Sequence, residues 1–274
     1  MRITQSLARP AAVVLASVAI LGLGACAGRN AGTRADTSYV ARDVGTLYTA
    51  AKREIDRGNY KRSAVIFDEV ERQHPYSVWA RRAQLMSAFS YYMAQDYTKS
   101  IESSRRFLSV HPGNKDAAYA YYLIAMGYYE QIEDITRDQK ITQQALDALG
   151  ELSRRYPETP YAADARVKMD LVTDHLAGKD MEIGRFYQVR GQWLAATIRF
   201  RNVVDNYQTT SHVPEALMRL TESYLALGLR DEAQKSAAVL GANYPGTQWY
   251  QRSFDLMQKY PAPMAAAAAT TTGG

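Results

Sequence analysis

The chain has 274 residues and a formal net charge of +5, and it contains a single cysteine. The length is enough for one elongated domain or two compact ones. A positive surplus this small, with basic and acidic residues interspersed, argues against nucleic acid as a partner. One cysteine excludes a disulfide framework within the chain.

The N-terminal segment has the features of an export signal. Arg2 and Arg9 precede an apolar run at 11–23, which is too short to span a bilayer comfortably. The sequence Leu-Gly-Ala-Cys then ends at Cys26 and resembles the bacterial lipobox, whose chemistry is acylation of the cysteine and cleavage before it. We therefore predict a removed signal peptide at 1–25 and a lipid anchor on Cys26. The alternative is a chance cysteine in an apolar helix.

The residues after Cys26 bear on location and charge. Ala27 replaces the Asp that favours inner-membrane retention in enteric-type sorting, so we predict an outer-membrane anchor with the body in the periplasm. The signal peptide carries two arginines and no acid, so its removal lowers the net charge from +5 to +3 (5 − 2 = 3). Small and polar residues at 26–37 predict a flexible tether.

Residues 38–260 contain a repeated pattern that predicts an all-α fold, a solenoid of about five tetratricopeptide-like helical hairpins. The frame of roughly 34 residues places small residues at positions 8 and 20, aromatic residues at 11 and 17, and glycine at 15. Bulky apolar residues follow at 24 and 27, and proline at 32. Small residues let two antiparallel helices approach closely, and large residues fill the gap to the next hairpin. Gln208 replaces proline in repeat four, and the other repeats end on Pro75, Pro112, Pro157 and Pro245.

Three segments depart from regular repeats. In repeat three, a polar insertion at 133–139 separates the first helix at 117–131 from the second. The stretch 161–176 is predicted to extend the first helix of repeat four, and 247–260 to form a capping helix. The Pro-, Ala-, Thr- and Gly-rich tail at 261–274 is predicted to be disordered, since five alanines are too few for a stable isolated helix.

The residues that could carry chemistry do not have the spacing of a catalytic or metal site. None of the four histidines lies three or four residues from another, and no phosphate-binding loop or Gly-x-Ser-x-Gly motif occurs. Carboxylate pairs such as Asp68-Glu69 occupy charged helix positions. The sequence therefore predicts a binding protein that is not an enzyme, with no metal ion and no cofactor.

Three segments resemble the BamD (ComL) family, lipoproteins of the outer-membrane β-barrel assembly machine. They begin at His74 (HPYSVWARRAQLM), Arg155 (RYPETPYAADAR) and Phe186 (FYQVRGQWLAATIR). The lipobox, five repeats and the long insertion in the third agree with this family. Gln208 departs from it and leaves the turn after repeat four open, and the Ala-rich tail is not a family feature.

The resemblance implies a scaffold that docks the barrel-shaped insertase (BamA-type) through its C-terminal repeats. It also implies contacts with other assembly lipoproteins and a role of the N-terminal repeats in receiving unfolded outer-membrane proteins. We place the docking surface in repeats four and five, with Arg199 as a contributor. Arg199 lies outward on a second helix, one residue before the packed Phe200. Its alternative role is a solvated charge.

First-helix positions 2, 5, 9, 12 and 13 line the groove of tetratricopeptide proteins in general. In repeats one to three these positions predict an aromatic surface for the C-terminal strand of unfolded outer-membrane proteins. Lys52 or Arg82 would pair with the free carboxylate of that strand. The alternative is that Phe89 and Tyr92 only pack one repeat against the next. The predicted binding residues are Tyr48, Lys52, Arg82, Leu85, Phe89, Tyr92, Tyr121 and Tyr128.

Two other functions stay open at this point. One is a different periplasmic repeat lipoprotein that coordinates cell-wall synthesis with envelope constriction, although the coiled-coil heptads usual in such proteins are not seen in the sequence. The other is a regulatory subunit of an envelope enzyme. Co-purification of an insertase would discriminate against both.

Overall fold

The computed structural model describes residues 43–260, and its regular structure within that range is entirely α-helical. The predicted signal peptide at 1–25, Cys26, the tether at 26–37 and the tail at 261–274 lie outside the described residues. The helices are α1 (Val44–Asp56), α2 (Tyr60–Gln73), α3 (Val78–Met93), α4 (Tyr97–Val110), α5 (Ala117–Tyr129), α6 (Lys140–Arg155), α7 (Pro160–Val189), α8 (Trp193–Asn206), α9 (Val213–Ala226), α10 (Arg230–Asn243) and α11 (Gln248–Lys259).

Ten of these helices form five hairpins, in which odd-numbered first helices pair with even-numbered second helices from α1–α2 to α9–α10. Each helix packs against the next in the chain, and α3, α5 and α7 also contact the preceding first helix. α11 contacts both α9 and α10. The predicted helical solenoid with a C-terminal capping helix is therefore confirmed.

Four of the five hairpin turns contain a residue with a left-handed backbone. Gly58, Gly191 and Gly228 have φ values of 76°, 72° and 75°, which glycine adopts without steric cost. The second hairpin has Gln95 at the equivalent position, with φ of 60°. A side chain is unfavourable in this conformation, so the second hairpin carries local strain that the three hairpins with glycine do not.

Small residues bring the two helices of each hairpin together, as the frame predicts. Ser63 donates its hydroxyl to the backbone oxygen of Ala51 at 2.9 Å, and Ser100 makes the same bond to Ala88 at 2.9 Å. In the fourth hairpin Gly184 packs directly on the ring of Phe200, where an added Cβ would overlap the ring. The hairpins therefore share one packing scheme with different small residues.

Every second helix ends in the same turn, including the one that lacks proline. The backbone N–H of Tyr207 donates to Val203 at 3.0 Å, and that of Thr210 donates to Tyr207 at 3.1 Å. Equivalent bonds follow the helices that end before Pro75, Pro112, Pro157 and Pro245. Gln208 thus leaves the turn geometry unchanged, which resolves the question left open by the sequence.

The long helix α7 links the third and fourth hairpins. It begins with Thr159, whose hydroxyl accepts from the Ala162 N–H at 3.2 Å, and Pro160 occupies the first turn, where its missing N–H costs nothing. Its 30 residues include the predicted extension at 161–176. The insertion before α6 contacts the middle of α7, where Lys179 Nζ donates to the backbone oxygen of Thr136 at 2.9 Å.

Candidate functional site

A tyrosine near the end of a first helix joins successive hairpins. Tyr91 donates its hydroxyl to Asp68 at 2.7 Å, and Arg105 donates to the Tyr128 hydroxyl at 2.8 Å. Arg201 bonds Tyr224 in the same way. In each case frame position 25 of one hairpin contacts position 11 of the next. These tyrosines therefore pack hairpins together.

An open cavity of about 620 Å³ lies among α1, α3, α4 and the start of α5. The Tyr48 ring packs against Trp79 and Phe67, with ring centroids 4.9 and 5.3 Å apart. Two arginines of α3 and a lysine before α5 supply positive charge. The lining residues are Tyr48, Val78, Arg81, Arg82, Leu85, Met86, Phe107, Gly113, Asn114, Lys115, Asp116 and Tyr119. The cavity thus combines aromatic and aliphatic walls with cations.

One face of α3 extends this cavity toward the other end of the hairpin. Arg82, Leu85, Phe89 and Tyr92 are three or four residues apart, so they share a face of the helix. Phe89 is half-buried. Tyr92 donates to Glu130 at 3.1 Å and packs on a neighbouring tyrosine, Tyr97. We call this surface, together with the cavity, the aromatic face.

Lys52 lies beside the cavity without lining it. It is exposed on α1, one helical turn after Tyr48. Of the two cations predicted to hold a carboxylate, Arg82 lines the cavity and Lys52 does not. Arg81 and Lys115, which lie outside the groove positions of the repeat frame, also line it.

Tyr121 and Tyr128 are not part of the aromatic face. They line a separate cavity of about 490 Å³ with residues of the second helices α4 and α6, such as Arg105 and Arg154. The repeat frame predicted for the third hairpin was wrong. The residue equivalent to Ala51 and Ala88 is Ala125, which is fully buried, and this shifts every first-helix position of α5.

The corrected frame selects other tyrosines of α5, Tyr119 and Tyr122, and we include both in the aromatic face. Tyr119 lines the cavity of the aromatic face, and both Tyr119 and Tyr122 pack on Tyr161 of α7, with ring centroids 5.4 and 5.1 Å apart. Tyr122 donates to Asp164 at 2.9 Å, and Lys168 also binds this carboxylate at 2.7 Å. The signal was available, because 37 residues separate Ala51 from Ala88 and Ala88 from Ala125.

The tyrosine hydroxyls of the aromatic face stay protonated. Burial raises the pKa of Tyr48, with an opposing effect of Arg82. Burial, reinforced by the Glu130 carboxylate, raises the pKa of Tyr92. Burial and the hydrogen bond to Asp164 raise the pKa of Tyr122 to about 12. At neutral pH these side chains are therefore neutral donors beside apolar rings, a chemistry suited to binding.

Arg199 is held by the fold. Its Nη1 lies 3.1 Å from Oδ1 of Asp180, a buried carboxylate of α7, and its side chain is 43% exposed. Asn202 donates to the other oxygen of Asp180 at 2.6 Å. Arg199 is therefore partly exposed, and its ion pair with Asp180 also links α8 to α7. The sequence suggested either a docking residue or a solvated charge, and neither description includes this ion pair.

The first helices of the fourth and fifth hairpins meet through charges. Arg185 of α7 contacts Glu215 of α9 at 3.2 Å, and Arg219 contacts the same carboxylate at 3.3 Å. Gln188 donates to Glu222 at 3.0 Å. We call this surface the ion-paired face.

Neither a metal site nor a membrane span occurs in the described part of the chain. No group of three or more His, Cys, Asp or Glu residues there could hold a metal ion. None of the helices between Asp43 and Tyr260 is long and apolar enough to cross a bilayer.

Comparison with known proteins finds relatives that match this chain over most of its length and most of theirs. The outer membrane protein assembly factor BamD of Caulobacter vibrioides is 48% identical over 91% of this chain and 81% of its own. The BamD of Rickettsia prowazekii is 41% identical over 90% and 97%. A solved thermophilic TPR protein from Thermus thermophilus is 19% identical, with a TM-score of 0.36 over 79% of this chain and all of its own. Residues 41–240 match the family described as outer membrane lipoprotein, YfiO, and the chain belongs to this family, which it shares with the BamD assembly factors.

Proposed function

We propose that this protein is a non-enzymatic subunit of the outer-membrane β-barrel assembly machinery. The observation that carries the proposal is the 48% identity to a BamD assembly factor across 91% of the chain. The aromatic face supports it, since it offers rings and cations and no arrangement of nucleophile and base. A role in cell-wall synthesis or envelope constriction has no comparable support.

Purification of the tagged protein from detergent-solubilised outer membranes tests this function. We expect the β-barrel insertase to co-purify, together with other assembly lipoproteins. Recovery of cell-wall enzymes without the insertase would contradict the proposal.

The proposed attachment to the membrane is a lipid on Cys26, after removal of residues 1–25. Several acyl chains on one residue anchor far more strongly than a single chain. Mass spectrometry of the mature N-terminus should find an acylated cysteine. A free thiol, or cleavage at another residue, would show that the anchor is wrong.

The aromatic face is the proposed site for unfolded outer-membrane proteins. Their strands alternate apolar and polar residues, so every second side chain can contact Tyr48, Leu85, Phe89 or the tyrosines of α5. The terminal carboxylate would pair with Arg82, with Arg81 and Lys115 close by in the same cavity. Charge-assisted bonds of this kind are stronger than neutral ones.

A pair of peptides tests the role of Arg82. A strand peptide ending in a free carboxylate should bind about tenfold more weakly to Arg82→Ala, while its amidated form should bind both proteins equally. Arg62→Ala, an exposed arginine on α2, serves as the matched control and should change neither affinity. Equal losses for the two peptides would contradict pairing with the carboxylate.

The fourth and fifth hairpins are the proposed docking surface for the insertase, with Arg199 contributing. Because Arg199 also pairs with Asp180, Arg199→Glu changes both docking and the α7–α8 contact. Asp180→Asn separates these effects, since it weakens the ion pair and leaves Arg199 in place. If Arg199 contacts the partner, only Arg199→Glu should reduce co-purification. Equal losses in both variants would show that Arg199 acts only by holding α8 to α7.

A further inference from the structure

One end of the aromatic face carries a surplus of positive charge. Arg81, Arg82 and Lys115 are exposed where α3 and α5 begin, and they line the cavity together with a single acid, Asp116. No carboxylate among residues 43–260 forms an ion pair with any of the three cations. Since α3 and α5 both begin at this end, the positive ends of their helix dipoles add to its charge.

The opposite end of the same face is acidic. Glu130 occupies the last groove position, 13, of the third hairpin in the corrected frame. With Glu133 and Asp138 it lines an open cavity of about 460 Å³, to which the described chain contributes no basic residue. Glu133 already pairs with Arg137 at 3.0 Å. Glu130 is exposed and makes no ion pair within the described residues, so its carboxylate can bind a cation.

Tyrosine rings lie beside the Glu130 carboxylate. The Tyr92 hydroxyl donates to it at 3.1 Å, and Tyr97 packs on Tyr92 with ring centroids 5.7 Å apart. Burial and then the Glu130 carboxylate raise the pKa of Tyr97, which places the carboxylate near this ring as well. A carboxylate beside aromatic rings binds lysine or arginine side chains through an ion pair and cation–π contacts.

The distance between the two ends fits a short β-strand. Arg82 and Tyr92 are ten residues apart on α3, which is about 15 Å along the helix axis. A strand advances about 3.3 Å per residue, so four residues span about 13 Å. Its side chains alternate between two faces, so a last residue that faces the protein is accompanied by the residues two and four positions before it. Leu85 and Phe89, between the two ends, would contact the side chain at position −2.

We propose that Glu130, with the rings of Tyr92 and Tyr97, binds a basic side chain four residues before the C-terminal residue of an unfolded outer-membrane protein. The inference rests on the proposed role of the aromatic face in binding such chains. The terminal carboxylate lies at Arg82 and the basic residue at Glu130, so the bound strand runs antiparallel to α3. The opposite direction would place two carboxylates side by side, and like charges repel.

Three strand peptides test this site with the full-length protein. They are identical and end in a free carboxylate, but they carry Lys at −4, Lys at −3 or Glu at −4. We expect the peptide with Lys at −4 to bind about fivefold more tightly than the other two. Glu130→Gln retains an acceptor for the Tyr92 hydroxyl and should remove this preference. Glu102→Gln, at an exposed glutamate of α4, is the matched control and should retain it.

The outcomes separate this inference from the proposed function. Equal affinities of the three peptides for the unchanged protein would overturn the inference and leave peptide binding by the aromatic face in place. A preference for Lys at −4 that persists in Glu130→Gln would also overturn it. If none of the peptides binds, both the inference and the proposed site for unfolded chains are wrong.

A photo-reactive phenylalanine analogue at the last position of the Lys −4 peptide tests the direction of the strand. We expect cross-links to residues 78–86 or 113–119, which line the cavity around Arg82. Mass spectrometry identifies the linked residues. Cross-links to 93–99, beside Glu130 and Tyr97, would show that the strand runs the other way and would overturn the proposal.

Discussion

The first helices at the two ends of the stack use the same packing scheme but have different surfaces. On α1, α3 and α5 the aromatic face exposes tyrosine and phenylalanine rings, and the hydroxyls of Tyr92 and Tyr122 bond to carboxylates. On α7 and α9 the ion-paired face consists of Arg185, Glu215 and Arg219 in mutual contact. Hairpins of one design therefore carry two different kinds of surface.

This difference follows from which positions of the repeat are restricted by packing. Frame positions that face the hairpin interior are restricted to small or bulky residues by packing. First-helix positions that face away from the hairpin interior are free of that restriction. Rings at those positions can contact the apolar side chains of a peptide, whereas paired charges covered by an apolar ligand would lose their hydration, which costs free energy. For this reason the aromatic face is the surface that we propose for an unfolded chain.

The largest expected effect concerns the packing that lies beneath the two surfaces. Gly184→Ala places a methyl group against the buried ring of Phe200 and should lower the free energy of unfolding by about 2 kcal/mol. Urea denaturation measures this loss. The equivalent residue of the first hairpin is Ala51, and Ala51→Gly should cost only about 1 kcal/mol. If Gly184→Ala leaves the free energy of unfolding unchanged, α7 and α8 can move apart without cost.

The next prediction tests whether the ion pairs of the ion-paired face stabilise the fold. Glu215→Gln removes the charge that Arg185 and Arg219 share, and its side chain is only 15% exposed. We expect a loss of about 1.5 kcal/mol in urea denaturation. Glu182→Gln, a more exposed partner of Arg185, should change stability by less than about 0.5 kcal/mol. Equal losses would mean that the shared carboxylate has no special role.

A measurement of peptide binding distinguishes the aromatic face from the ion-paired face. Phe89→Ser on the aromatic face should weaken binding of a strand peptide about tenfold, or about 1.4 kcal/mol, with a similar or smaller loss of stability. Fluorescence anisotropy measures the affinity. The matched variant Phe186→Ser removes an exposed ring from α7 and should leave the affinity unchanged. If Phe89→Ser costs several kcal/mol of stability, the residue belongs to the core and the binding site lies elsewhere.

The smallest effect concerns the hairpin turns. Gln95→Gly should raise the free energy of unfolding by up to about 1 kcal/mol, because glycine adopts φ of 60° without the clash of a side chain. Gly228→Ala should lower it by about 1 kcal/mol for the same reason. Thermal unfolding measures both changes. Destabilisation by Gln95→Gly would mean that the glutamine side chain makes a contact that outweighs the strain.

The repeat frame predicted most of the fold because packing leaves a clear signal in the sequence. The prolines that end four second helices, the glycines at 58, 191 and 228, and the buried small residues all occur at predictable intervals. The same frame failed on α5 because the insertion at 133–139 separates α5 from its second helix, so the register of Ala145 cannot be carried back to α5. Several small residues of α5 then offered competing registers, and the 37-residue spacing that Ala125 shares with Ala51 and Ala88, together with its full burial, identifies the correct one.

The sequence by itself determined the class of fold, the number of hairpins, the capping helix and the family, because each depends on local periodicity or on residues contiguous in the chain. Tertiary structure alone decided that Tyr48, Arg82 and Tyr119 line one cavity and that Arg199 pairs with Asp180. These features depend on contacts between residues that are distant in the sequence. The register error on α5 was two residues, and at about 100° per residue this turns a side chain by about 200°, enough to move Tyr121 and Tyr128 from the aromatic face to the second helices.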